Sequence, residues 1–322
     1  MSLFLGNEDQ KRLGCTTNQF KNIDIEKALC SESVTINHTL LMKIRGYRNK
    51  IKKTPGNETS SSLASSEQDD NSCNTGHYQS KKPKKTYTTN AKQQATEFNA
   101  SAVKELTITT DATQHLVDMD LKKITKMGFI HRQTTSLNLD QCNEITDLKP
   151  LISNTGLMEL SLWRCRKITN FNSLTNCYTL TNLNLTACAQ ITDLLSIANC
   201  YALTNLNLKA CTQIEDLSPL RNCTKLTNLN LEECTQITDK IHNTLPFLPE
   251  ITILNLTYCN QIEDLTPLSS FDKLKRLDLE ECTAIKNLRP LKNCKALTYL
   301  NLGECSQITD IWPLASCTAL KI

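Results

Sequence analysis

The chain has 322 residues, of which 39% are hydrophobic, 5% aromatic and 21% charged, and its formal net charge is +3. That length suits one extended repeat domain with a smaller appendage, or two compact domains, with an aliphatic core in either case. The charge is too weak and too dispersed to track a phosphate backbone, because residues 1–101 carry 15 Lys and Arg against 10 Asp and Glu and residues 102–322 carry 21 against 23. No stretch of 18 apolar residues is present, so no membrane span is expected. Met1–Leu5 is followed at once by Asn7, Glu8 and Asp9, which does not read as a secretory signal. Sixteen cysteines without an export signal point to a reducing compartment, the cytoplasm.

In chain order, residues 1–53 read as a small helical module. Lys43, Arg45, Arg48, Lys50, Lys52 and Lys53 make a basic cluster on the exposed face of a short helix. Residues 54–101 read as a disordered linker, opened by Thr54-Pro55-Gly56 and filled with Ser, Asp and Asn. Within it Lys81-Lys82-Pro83-Lys84-Lys85 reads as a nuclear signal or as a plain solubilising charge run.

Residues 102–322 form the repeat region. Val103, Leu106 and Ile108 mark a degenerate first strand, and the amphipathic stretch His115–Met127 its convex helix, giving a first unit over 102–133. From Thr134 to 319 the pattern LxxLxLxxCxxI(T/E)DLxxLxxCxx recurs in eight units, opening at Thr134, Leu157, Leu180, Leu203, Leu226, Ile251, Leu274 and Leu297. Every interval is 23 residues except Leu226 to Ile251, which is 25. This period and consensus are the signature of leucine-rich repeats. Leucines two apart, such as Leu183 and Leu185, face inward from a strand. One unit cannot bury that face, but stacked units can, as parallel strands about 4.8 Å apart.

The cysteines after the strands (Cys142, Cys165, Cys188, Cys211, Cys234, Cys259, Cys282, Cys305) read as small buried hydrophobes. Asp147, Asp193, Asp216, Asp239, Asp264 and Asp310 suit an N-cap for a short convex helix or 3-10 turn. The prolines Pro150, Pro219, Pro267, Pro290 and Pro313 suit its first turn. The expected class is therefore α/β: a leucine-rich-repeat solenoid with a small N-terminal helical module. Leu320-Lys321-Ile322 begins a ninth unit without a polar cap.

The repeated CxxITD step, as in Cys142–Asp147, Cys188–Asp193, Cys234–Asp239 and Cys305–Asp310, resembles the cysteine-containing leucine-rich repeats of F-box/leucine-rich-repeat proteins. At the N-terminus, Leu5, Asp9, Arg12, Leu13, Thr16, Asn18 and Phe20 match the spacing of the second half of an F-box, and the first half is absent. The resemblance implies a substrate-recognition subunit of a cullin–RING ubiquitin ligase, with Leu5, Asp9, Arg12, Leu13 and Phe20 facing a Skp-type adaptor.

Side chains between the core leucines must face solvent on the concave side, where partners bind. The expected partner-binding set is Trp163 and Arg164 as an aromatic–basic spot, Lys209, and an acidic field of Glu232, Glu233, Glu280, Glu281 and Glu304 with Asp278, beside Tyr258, Arg276 and Tyr299. Trp, Tyr and Arg are the residues that most often anchor interfaces. The row Asn138, Asn184, Asn207, Asn230, Asn255 and Asn301 reads first as repeat drift with side-chain bonding along the sheet, and second as a recognition row.

No CxxC or HxxxH occurs, so no metal is expected, and the five scattered histidines and eight glycines support neither a catalytic triad nor a nucleotide cradle. The expectation is a non-enzymatic, cofactor-free monomer that binds a protein on its concave face, either as a ligase subunit or as a free-standing scaffold or inhibitor. An exported bacterial effector acting in a host cytosol is one form of the second.

Overall fold

The computed structural model describes residues 33–37, 40–42, 44, 103–108, 116–126 and 129–320. Within them, ten strands form one parallel sheet in strict chain order. They are β1 (Ser33–Ile36), β2 (Glu105–Ile108), β3 (Ser136–Asn138), β4 (Glu159–Ser161), β5 (Asn182–Asn184), β6 (Asn205–Asn207), β7 (Asn228–Asn230), β8 (Ile253–Asn255), β9 (Arg276–Asp278) and β10 (Tyr299–Asn301). Sequential order with neighbour-only pairing is the topology of a solenoid, and the chain folds as a leucine-rich-repeat solenoid.

The strands line up because their leucines do. Leu183, Leu206 and Leu229 are register partners across β5, β6 and β7 and are buried, while the asparagines on either side of each stay half-buried. A one-residue slip would turn every such leucine to solvent, so burial fixes the register. The core behind the sheet is aliphatic: Leu185, Leu208 and Leu231, then Ile191, Ile214 and Ile237, all nearly inaccessible, with Phe129 and Phe271 its largest members.

Each strand ends in a tight turn that forms a second ladder. Gln141, Arg164, Ala187, Ala210, Glu233, Tyr258, Glu281 and Glu304 hold left-handed backbone, with φ between 57° and 62°. In the first seven the N–H donates to a carbonyl of the next unit, as Ala187 N to Lys209 O at 2.7 Å and Ala210 N to Glu232 O at 2.7 Å. The cysteine that follows does more than fill space. Cys188, Cys211 and Cys234 each donate Sγ–H to a strand-end carbonyl one unit back (Leu162, Leu185 and Leu208), at 3.0, 3.1 and 3.1 Å. The same carbonyl of Leu185 also accepts the Cys188 N–H, so both its lone pairs are used.

The convex side is built from 3-10 segments of three to five residues, from Lys149–Leu151 to Trp312–Ser316. Proline occupies their first turn as expected at Pro150, Pro219, Pro267, Pro290 and Pro313. The expected aspartate caps act one step early: Asp147, Asp193, Asp216, Asp264 and Asp310 accept the N–H two residues on, at 2.8 to 3.0 Å, as Asx turns preceding the segment. Asp239 differs, accepting instead from Glu263 N and Asp264 N of the next unit. The helix expected over His115–Met127 is α1 (Asp118–Lys126), whose Asp118 ties it to the first full unit through Thr146 N at 2.8 Å and Thr146 Oγ1 at 2.6 Å.

One boundary is corrected. Residues 33–36, placed by sequence in the N-terminal helical module, form β1, paired along its whole length with β2. The reason is local: Ser-Val-Thr-Ile alternates as Glu-Leu-Thr-Ile does in β2, and Val34 and Ile36 are buried as Leu106 and Ile108 are. The expected linker, the basic clusters and the F-box-like residues Leu5, Asp9, Arg12, Leu13 and Phe20 lie outside the described residues.

Candidate functional site on the concave face

The concave face carries four residues per unit in register. Two project from each strand, the third is the residue just after the second core leucine, and the fourth is the left-handed residue. Together the first two rows floor a trough of about 580 Å³ running from β3 to β9. The aromatic and charged residues singled out by sequence occupy the third and fourth rows, apart from Arg276 and Tyr299 in the first and Asp278 in the second.

Just after β4, the Trp163 N–H donates to Asp140 Oδ1 at 2.9 Å, and the Ser161 hydroxyl donates to the same carboxylate. Arg164 is exposed and its guanidinium lies 4.6 Å from the Trp163 ring centroid, so the two form one aromatic–basic spot. The acidic end begins three strands away at Glu232 and reaches Glu280 five strands away, about 14 and 24 Å off at roughly 4.8 Å per strand. The two groups are therefore separate contact points.

The acidic end is partly neutralised from within. Lys209 pairs with Glu232 at 2.6 Å and with Glu233 at 3.7 Å, and the Glu232 hydrogen bond leads in holding its ammonium above the ordinary lysine range. Arg276 sits 3.3 Å from Asp278 and 3.7 Å from the Tyr299 ring centroid, and the Asp278 carboxylate, nearly buried, also accepts the Thr257 hydroxyl at 3.1 Å. Glu280, Glu281 and Glu304 have no cationic partner among the described residues. Tyr258 and Tyr299 are about 40% exposed beside them.

The asparagine row proves to be structural first. Asn138, Asn184, Asn207, Asn230, Asn255 and Asn301 each accept through Oδ1 the N–H two residues on, at 2.9 to 3.1 Å, turning the chain out of the strand. What sequence reading did not single out is the first row, Asn182, Asn205 and Asn228, which shares the trough floor. The three consecutive Asn-Leu-Asn strands were the available signal.

The thirteen described cysteines are free and buried. Burial pushes Cys165, Cys188, Cys211, Cys234, Cys282 and Cys294 up to about 12, so the thiolate that attacks or binds metal is not formed near neutral pH. Among the described residues no group of His, Cys, Asp or Glu is arranged to hold a metal, and no helix is long and apolar enough to cross a membrane.

No family model matches the sequence, and no curated protein matches it. Solved structures do. An internalin C2 from Listeria monocytogenes is 27% identical with a TM-score of 0.50, the alignment covering 64% of this chain and 83% of that one. An internalin designated inlF from the same organism is 27% identical over 62% and 67% of the two chains, with a TM-score of 0.43. The functional domain of InlJ from Listeria monocytogenes, described as including a cysteine ladder, is 20% identical over 69% and 53%, with a TM-score of 0.40. The chain is a leucine-rich-repeat protein, and that fold is generally a scaffold for protein–protein interaction.

Proposed function

We propose that this chain captures a partner protein on its concave face and works as a free-standing scaffold or inhibitor without catalysis or cofactor. The observation that carries the reading is the composition of that face: an exposed Arg164 on Trp163 at one end, and at the other Tyr258 and Tyr299 among three carboxylates with no cationic partner among the described residues. Half-exposed aromatics flanked by polar groups are the usual anchors of a protein interface. Similarity to internalin C2 supports a bacterial protein of this kind, and its free, buried thiols suit the cytoplasm or, if exported, a host cytosol. The test is affinity capture with the whole chain and its Trp163→Ala/Arg164→Ala variant. A protein retained by the first and lost by the second, with the thermal transition unchanged, supports the reading. Equal retention moves the site off this face.

The ubiquitin-ligase role is the second reading, and its support is the F-box-like spacing of Leu5, Asp9, Arg12, Leu13 and Phe20. It requires a Skp-type adaptor to bind the chain and a Leu13→Asp variant to lose it. No adaptor bound by the wild-type chain leaves the free-standing scaffold.

A further inference from the structure

The middle of the trough offers hydrogen-bond donors that the fold leaves unpaired. Each second-row asparagine turns Oδ1 back to its own turn, and its NH2 is the group left to reach a neighbouring strand. On three strands that NH2 finds an acceptor one strand back: Asn184 on Ser161 Oγ at 3.1 Å, Asn255 on Glu232 Oε2 at 3.3 Å, and Asn301 on Glu280 Oε2 at 3.1 Å. Asn207 and Asn230 find none among the described residues. The third-row residue one strand back from Asn207 is Thr186, whose hydroxyl turns to Asn184 Oδ1 at 2.7 Å and makes no bond to Asn207, and the one back from Asn230 is Lys209, a cation with no acceptor. Two adjacent half-buried amides thus each present to the trough an NH2 that has no acceptor among the described residues. A half-buried donor without a partner favours a ligand that brings acceptors.

Three strands further on, the deficit reverses. Glu280, Glu281 and Glu304 carry negative charge with no cationic partner among the described residues. Gly303 places no side chain between Glu280 and Glu304; a Cβ there would lie 3.4 Å from Glu280 Cγ. No left-handed φ demands that glycine, so its effect is the open approach to the Glu280 carboxylate.

We propose that the concave face takes an extended polypeptide segment, its main-chain carbonyls on Asn207 and Asn230 and a lysine or arginine side chain among Glu280, Glu281 and Glu304. This rests on the reading that the face captures protein, and it names the chemistry captured. Three strand spacings are about 14 Å, so the basic residue lies about four extended residues from the segment over Asn207 and Asn230. A neutral oligosaccharide would satisfy the amides and leave the carboxylates without a cation. An anionic glycan or a nucleic acid would be repelled by them.

The experiment measures fluorescence anisotropy of labelled decapeptides on the full chain. One peptide is serine and threonine ending in two lysines, the other ends in two glutamates, and maltoheptaose serves as competitor. The variants are Glu280→Gln/Glu281→Gln/Glu304→Gln, and Asn207→Ser/Asn230→Ser. Serine occupies this row at Ser161, where Asp140 takes over the Trp163 N–H; the second variant gives up the two turn bonds to Lys209 N and Glu232 N, so its melting curve is measured first and affinity is compared on folded protein only. The expected result is binding of the lysine peptide that weakens with salt, is absent for the glutamate peptide and falls about tenfold or more in each variant. No binding of the lysine peptide, binding of the glutamate peptide, displacement by maltoheptaose, or full affinity in either variant overturns the proposal. Side-chain footprinting with a captured protein separates the two readings. Protection on the concave face with failed peptide results removes the peptide chemistry alone, and no concave protection removes the protein-capture reading.

Discussion

At the scale of single residues, the turn out of each strand is where sequence and conformation disagree most. Eight non-glycine residues hold left-handed backbone, which costs an L-residue about 1–2 kcal/mol each. The N–H ladder between units holds seven of them there. Ala187→Gly removes that strain but adds about 0.5–1 kcal/mol of chain entropy on folding, so it should stabilise by about 0.5–1 kcal/mol, read from chemical denaturation. Ala187→Val should destabilise, since a β-branched side chain tolerates this region worst. The cysteines make a second residue-scale test. Cys211→Ser should cost about 1–3 kcal/mol, because the shorter hydroxyl sits in an apolar stack and reaches the Leu185 carbonyl less well than the thiol does. Native protein should react slowly with a thiol reagent at all thirteen described cysteines, and denaturation should release them. Cysteines found paired would contradict the ladder. Their burial was legible from the 23-residue spacing. Their role as donors was not, because it depends on where the carbonyl of the preceding unit lies.

At the scale of elements, the repeat absorbs variation on its convex side and keeps its register on the concave one. The 25-residue unit accommodates its two extra residues in consecutive 3-10 segments, Asp239–Asn243 and Leu245–Phe247, while Asn228 still pairs with Ile253. The Asx turns before the 3-10 segments Ser218–Asn222 and Thr266–Ser270 carry a pH signature. The Ser218 hydroxyl, followed by the Ser218 N–H, holds the Asp216 carboxyl below the ordinary carboxylate range, and the Thr266 hydroxyl leads in doing the same for Asp264. A group whose pKa is lower folded than unfolded contributes stability above its unfolded value and loses it as pH falls through the folded one. The melting temperature should therefore drop on acidification below about pH 4, and less so in Asp216→Asn/Asp264→Asn, which keeps both turns. An equal drop in the variant would assign the acid sensitivity elsewhere. Units, strands and convex turns were readable because period and residue type agree. β1 was missed because it pairs with a strand that begins 72 positions later than it does, and no repeat spacing links the two.

At the scale of the whole molecule, the sheet separates an aromatic–basic spot from an acidic end across a neutral asparagine floor. The residues at both ends could be named from sequence because they interrupt an otherwise regular repeat. The floor could not, because its asparagines look like the repeat itself until the turn geometry shows which amide atoms are spent. Trp163→Ala should weaken partner binding by about 2 kcal/mol with little change in thermal stability, since the side chain is half-buried on a face that the core does not need. Glu280→Lys/Glu281→Lys should change affinity in a salt-dependent way, measured by titration at low and high ionic strength. The most direct test of capture on the concave face is hydroxyl-radical footprinting of the chain with and without its captured protein. The account predicts protection of Trp163, Tyr258 and Tyr299, with Tyr178, Tyr201 and Phe247, each about half exposed away from that face, oxidised as before. Protection of Tyr178, Tyr201 and Phe247 with the three concave aromatics unchanged would contradict it.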